Sequence, residues 1–322
     1  MIKNRRGPSI LQVNILYLVV GIALITLGAS AQSRNIYTGL LITEYIIILL
    51  PSLLFMMFNG YPIKQTLRLN GVNLKQIILV ILIVLFSYPI AVFFNFIGLI
   101  ILDKFSQVMT NPVPIPSTAN EYFIGFMIIA LTPGLCEEVL FRGIIMSAYD
   151  RLGRKKAIIY SSILFGIFHF NAQNLLGPIF LGILFGVIAY RTDSLIATII
   201  GHTTNNTIAL TIGYAFTKLE GEMDAAMDAA MDGMIFPETN EVLLAAVGLG
   251  IIGLVFGIIV YSLIKKLPPA PKIRTGDLDG SAIEELPIQY EDMGKDMGIL
   301  NSIPVIIVMV IFVILHYKLL FS

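Results

Sequence analysis

Residues 76–102 read QIILVILIVLFSYPIAVFFNFIGLIIL, a run without a single Asp, Glu, Lys or Arg. A helix needs about 20 mostly apolar residues to cross the hydrocarbon of a bilayer. Inside lipid only helices and closed barrels satisfy their own backbone. The run lacks the two-residue alternation of a barrel strand, so it reads as a transmembrane helix. Working outward, comparable blocks lie at roughly 10–31, 36–58, 121–148, 157–171, 175–190, 194–216, 242–264 and 302–320. The expectation is an all-α, polytopic transmembrane helix bundle of about nine spans. Composition agrees: the 322 residues are 57% hydrophobic and 13% charged, with a mean hydropathy of +0.86, which excludes an ordinary soluble globule. The 21 Lys and Arg balance the 21 Asp and Glu, so no basic excess points to a nucleic-acid partner. The single cysteine, Cys136, excludes an internal disulfide and a CxxC metal site.

The blocks at 157–171 and 175–190 are near the lower length limit and are separated by the polar stretch Asn171 to Asn174, so residues 171–190 either cross or re-enter. The first block follows Lys3, Arg5 and Arg6 and ends in Ala29-Ser30-Ala31, like a signal peptide, but it is too long for a typical apolar signal core and reads as a retained helix. With the N-terminus cytoplasmic, sixteen basic residues fall in inner loops and four in outer segments, as the positive-inside rule asks.

Four regions follow: N-terminal helices over 1–119, a core over 120–217, an acidic outer insert over 218–241, and two C-terminal helices over 242–322 joined by an acidic linker. The insert carries a tandem repeat within 223–234 that puts Asp224, Asp228 and Asp232 on one side of a helix, readable as a solvated helix or lid or as a surface for cations or a basic partner. The linker opens with Pro268-Pro269-Ala270-Pro271 and makes the last span look peripheral.

Ionisable side chains inside spans are costly and usually face a bundle interior or a wet cavity. Glu137, Glu138 and Arg142 fall in the fourth block, His169 in the fifth, His202 with Asn205 and Asn206 in the seventh, and Glu44 in the second. Glu138 and Arg142 are i, i+4 neighbours on a helix, whereas Glu137 points about 100° away, so one carboxylate is paired while the other stays free. His202 and Asn206 are likewise i, i+4. A carboxylate with imidazoles and an amide suits hydrolysis: Glu as general base on water, one His orienting it, another His with Asn holding an oxyanion. The same residue types also suit zinc, a proton-relaying transporter or a packing device, although HExxH is absent.

Three spacings decide among these: Glu137-Glu138-Val139-Leu140-Phe141-Arg142 (EExxxR), Phe165-Gly166-Ile167-Phe168-His169 (FxxxH) and His202-Thr203-Thr204-Asn205-Asn206 (HxxxN). In order and separation over roughly residues 120–217, they resemble the CPBP family of CAAX proteases and bacteriocin-processing enzymes, also called the ABI family of intramembrane peptidases. That resemblance implies that Glu137 activates a water, His169 helps hold it, and His202 with Asn206 stabilises the oxyanion. It further implies that Glu138 and Arg142 support the site and that Phe165 walls it. It implies a glutamate-type peptidase without cofactor, the alternative being zinc on Glu137, His169 and His202. The implied substrate is a membrane-associated peptide or lipid-modified protein, with membrane lipids around it and an ABC exporter as a possible partner. The Ile-rich, Trp-free chain looks bacterial, which points to the bacterial cell membrane. The alternatives to an enzyme are a non-catalytic membrane partner and a transporter.

Overall fold

The computed structural model describes residues 7–103, 114–231, 239–268 and 298–321, with the backbone alone at 103, 220–231, 239 and 318–321. Nine rods make up the described chain: α1 Ile10–Arg34, α2 Ile36–Asn59, α3 Leu74–Asp103, α4 Ala119–Leu152, α5 Arg154–Phe168, α6 Leu176–Thr192, α7 Leu195–Met231, α8 Thr239–Lys266 and α9 Ile299–Phe321. There is no strand among the described residues. The chain is a helical bundle and an integral membrane protein.

Local chemistry sets the helix ends. Ser9 and Gln12 form a capping box at α1, each side chain bonding the other's backbone N–H. Thr118 accepts from the Glu121 N–H at the start of α4. Gly60, at φ 65°, closes α2 in the left-handed conformation that costs glycine little.

Six rods are long and apolar enough to cross a membrane: α1, α2, α3, α4, α8 and α9. The expected count of nine is therefore not reproduced by that measure. The α5 rod has 15 residues and α6 has 17, short of a full crossing. The α7 rod is long enough, but its polar run from His202 to Thr207 dilutes its hydropathy, and that run holds the site residues.

Two expected boundaries are corrected. The fifth helix stops at Phe168, so His169 is its C-cap rather than an interior residue. The seventh does not end near 216 but continues as helix to Met231, into the acidic repeat. The repeat's side chains, its last residues from Asp232, and most of the linker after Pro268 lie outside the described residues, as do Lys3, Arg5 and Arg6.

The α5 and α6 rods form an antiparallel hairpin. A Cβ built on Gly182 would lie 2.8 Å from Cα of Ser162, and one on Gly186 would lie 3.2 Å from the Ile158 side chain. Small residues four apart let two backbones approach this closely in membranes. The segment from Leu176 to Thr192 therefore runs back along the length of α5.

Two apolar cores flank the centre. One joins α1, α2, α4, α5 and α9 around Tyr17, Phe141, Phe165 and Phe168; the other joins α3, α6, α7 and α8 around Val80, Ile83, Phe185 and Ile188. The last helix is not peripheral: Val308 of α9 is buried in the first core, and Asn14 of α1 donates to the Asn301 carbonyl at 2.7 Å. The outlying rod is α8, which packs on α3 and leaves Leu244, Leu254 and Ile258 exposed, as a lipid-facing helix does.

Three loops assigned to one side of the membrane meet at one end of the bundle. Arg68 bonds Asp150 at 2.6 Å and Asp193 at 2.9 Å, and Asn70 donates to the Asp193 carbonyl. Tyr190 hydroxyl also bonds Asp150. Burial acts to lower the Arg68 pKa, but Asp150, Tyr190 and Asp193 outweigh it and hold it above the ordinary arginine value.

Candidate active site

The polar residues lie between the two cores, where α4 and α7 cross. Gly134 makes that crossing possible. A Cβ there would overlap the Thr203 hydroxyl and lie 3.0 Å from the Thr203 backbone nitrogen. One turn on, α4 presents Glu137 and Glu138 to α7.

The π-helical stretches Phe126–Leu131 and Val139–Ile145 bracket the α-helical segment Thr132–Glu138. Such bulges rotate a helix face locally and are frequent at functional sites. Pro133 has no N–H, so the carbonyl of Ile129, four residues earlier, lacks its α-helical donor. Asn206 replaces that donor, its Nδ2 lying 3.1 Å from the Ile129 oxygen, and accepts from Asn205 Nδ2 at 3.1 Å. One Asn206 N–H bonds Ile129, which leaves its other amide proton for a further acceptor.

Glu138 is the hub. Its Oε1 accepts from Arg142 Nη1 at 2.8 Å and lies 3.0 Å from His202 Nδ1, with Glu138 fully buried and Arg142 1% exposed. The Arg142 guanidinium sits 4.3 Å from the Phe165 ring centroid and 5.3 Å from that of Phe185, a cation between two aromatic faces. Its Nη2 also reaches the Gly182 carbonyl at 3.4 Å. His202 stacks on Phe185 at 5.4 Å and meets the edge of Phe165 at 5.8 Å. The imidazole is thereby fixed by a carboxylate and two rings.

Glu137 is the carboxylate left over. Its Oε2 is buried without a protein hydrogen-bond partner and lies 3.9 Å from His202 Nε2. Thr203 Oγ1 and Asn205 Oδ1 on α7 are also buried without partners. Native interiors satisfy nearly all buried polar atoms, so such a group marks a place for water or substrate. Glu44, at 4% exposure in the π-helical stretch Ile42–Leu49 of α2, has one unpartnered oxygen and lies near enough to Glu137 for the two carboxylates to interact electrostatically.

His169 stands apart. Its ring is exposed, packs edge-on against Phe165 at 5.0 Å, and has Nδ1 2.9 Å from the Phe165 carbonyl. Phe165 therefore touches both histidines, and His169 makes no hydrogen bond to Glu137 or His202. Among the described residues no three His, Cys, Asp or Glu side chains gather to hold a metal ion. Cys136 is wholly buried in the apolar core.

Sequence reasoning singled out Glu44 without giving it a task, and missed Phe185, Thr203 and the Ile129 carbonyl. Pro133 could have signalled the carbonyl. Beside this region, between α3, α4 and α7, lies a groove of about 390 Å³ lined by Leu85, Phe126, Thr203, Thr207 and Ile208 among others.

Residues 119–208 match the family model described as type II CAAX prenyl endopeptidase Rce1-like. The matched stretch contains all three motifs, and over these residues the chain is similar to that family. No curated protein and no solved structure matches the chain.

Proposed function

We propose that the chain is an intramembrane endopeptidase that hydrolyses a peptide bond of a membrane-associated or lipid-anchored peptide with a glutamate-activated water. The observation that carries this reading is the unpartnered Glu137 oxygen 3.9 Å from His202 Nε2, while the other side of His202 is tied to Glu138. The family match over the same residues supports a CAAX-type protease.

Glu137 takes a proton from water as the water oxygen attacks the scissile carbonyl carbon. His169 bonds the Phe165 carbonyl through Nδ1–H, so its Nε2 is an acceptor suited to orienting that water. The tetrahedral oxyanion receives the free Asn206 N–H and an Nε2–H of His202, whose Nδ1 is held by Glu138. When the C–N bond breaks, Glu137 returns its proton to the leaving amine. Glu138 and Arg142 do not touch substrate in this scheme; they hold His202. The peptide approaches through the groove beside Thr203 and Thr207. The reaction runs without a metal step, a reading supported by the position of His169, which bonds the Phe165 carbonyl rather than Glu137 or His202.

The test is cleavage of a fluorogenic peptide library, prenylated members included, by the full chain in nanodiscs. Glu137→Gln and His202→Ala each abolish measurable turnover, and chelator leaves the wild type unchanged. Equal cleavage by wild type and Glu137→Gln overturns the assignment of the base, and chelator inhibition reversed by zinc overturns the metal-free scheme.

A further inference from the structure

The connection between α5 and α6 begins with a backbone that needs outside help. Phe170, directly after His169, has φ 43°, in the left-handed region that costs a non-glycine residue roughly 1–2 kcal/mol. Conformations of this kind persist only where surrounding contacts impose them. The contacts come from the two ends of the sequence. The Phe170 ring lies over Gly21 of α1, where a built Cβ would be 3.5 Å from Phe170 Cζ and 4.0 Å from Val308 of α9. Two residues on, the Ala172 N–H donates to His316 Nε2 at 3.2 Å.

His316 is built to accept that bond. Its Nδ1 lies 2.7 Å from the Phe312 carbonyl, one turn earlier on α9, and a carbonyl can only accept. The proton therefore sits on Nδ1, and Nε2 offers a lone pair to Ala172. The Phe312 ring, 4.4 Å away, packs on the imidazole, and His316 itself is 9% exposed. Asn171 completes the turn by accepting from the Gln173 and Asn174 N–H groups at 3.0 and 3.2 Å. None of this lies on the matched family segment except the turn itself.

We propose that His316 is a positioning residue for His169: from the last helix it holds the turn through Ala172 and so sets where the His169 ring stands. The kinetic consequence rests on the peptidase reading above; the positional one does not. The chain has three histidines, so full-length protein labelled at histidine in nanodiscs gives one set of ring resonances for each. His316→Phe keeps a ring but removes the acceptor. In that variant the His169 resonances shift or broaden, those of His202 stay in place as a control for folding, and the Ala172 amide exchanges at least tenfold faster. His316→Gln, whose side-chain oxygen can accept, restores both signals toward wild type. His316→Leu serves in place of the Phe variant if that one does not fold. In the cleavage assay His316→Phe lowers kcat about tenfold with KM within twofold, because a displaced catalytic group costs rate rather than binding, and His316→Gln recovers it. Unchanged His169 resonances and Ala172 exchange in the variants lacking the acceptor overturn the proposal. If wild type cleaves no peptide, the peptidase reading fails, while the resonances still decide the positioning.

Discussion

At the scale of single residues, the balance of charge in the site turns on Glu138 and Arg142. Both are buried, and Arg142 Nη1 bonds Glu138 Oε1 at 2.8 Å. Removing one partner of a buried pair strands a charge in low dielectric and costs about 3–5 kcal/mol, whereas replacing both by apolar groups is often neutral. Arg142→Met accordingly lowers thermal stability in detergent by that amount, and adding Glu138→Leu to it recovers most of the loss. Neither variant recovers cleavage, since His202 loses its anchor in both cases where Glu138 is absent or unbalanced. Unfolding curves read beside turnover separate the two effects; a double variant as unstable as Arg142→Met contradicts the pairing. Asn206→Leu acts differently. It leaves the Ile129 carbonyl without its side-chain donor, at about 1–3 kcal/mol, and in the proposed mechanism it removes an oxyanion donor, for a kcat loss of about 10²–10³ with KM little changed. A drop confined to KM would show that Asn206 binds substrate without stabilising the oxyanion.

At the scale of elements, the crossing of α4 and α7 decides whether the site exists. Gly134 is the contact point, and any side chain there meets Thr203. Overpacking a tight contact costs typically about 1–3 kcal/mol, so Gly134→Val lowers stability modestly but abolishes turnover, because Glu137 and His202 move apart. Full turnover in Gly134→Val, measured on the folded fraction, would place the chemistry elsewhere. Much of this level was legible beforehand. The i, i+4 spacings put Glu138 with Arg142, and His202 and Asn206 toward the same neighbour, because side-chain direction follows helical period. The end of α5 was not legible. An apolar run continuing through Phe168, His169 and Phe170 reads as helix, and the left-handed turn that ends it rests on Gly21 and His316, contacts from the two ends of the chain. The continuity of α7 was likewise hidden: the repeat reads as a helix of its own, and no apolar signal joins it to the span that ends near 216.

At the scale of the whole molecule, the bundle is two apolar cores joined along a polar seam, and the seam is closed at one end and open on one flank. The closed end is the cluster of Arg68, Asp150, Tyr190 and Asp193, which ties the loop before α3 to the ends of α4 and α6. The open flank is the groove between α3, α4 and α7, where Thr203, Thr204, Thr207 and Thr211 line one wall. Hydropathy found the helical rods but not this division, because apolar residues facing lipid and apolar residues facing a core carry the same transfer energy. A peptide entering by the flank must pass Thr207, one turn beyond Thr203 on α7. Thr207→Leu narrows the passage without touching Glu137, His202 or Asn206, so it raises KM about tenfold for long peptides, leaves kcat within twofold and leaves stability unchanged. Steady-state kinetics on peptides of graded length check this, the shortest being least affected. An equal loss for all lengths, carried by kcat, would move the route of entry to another face of the bundle.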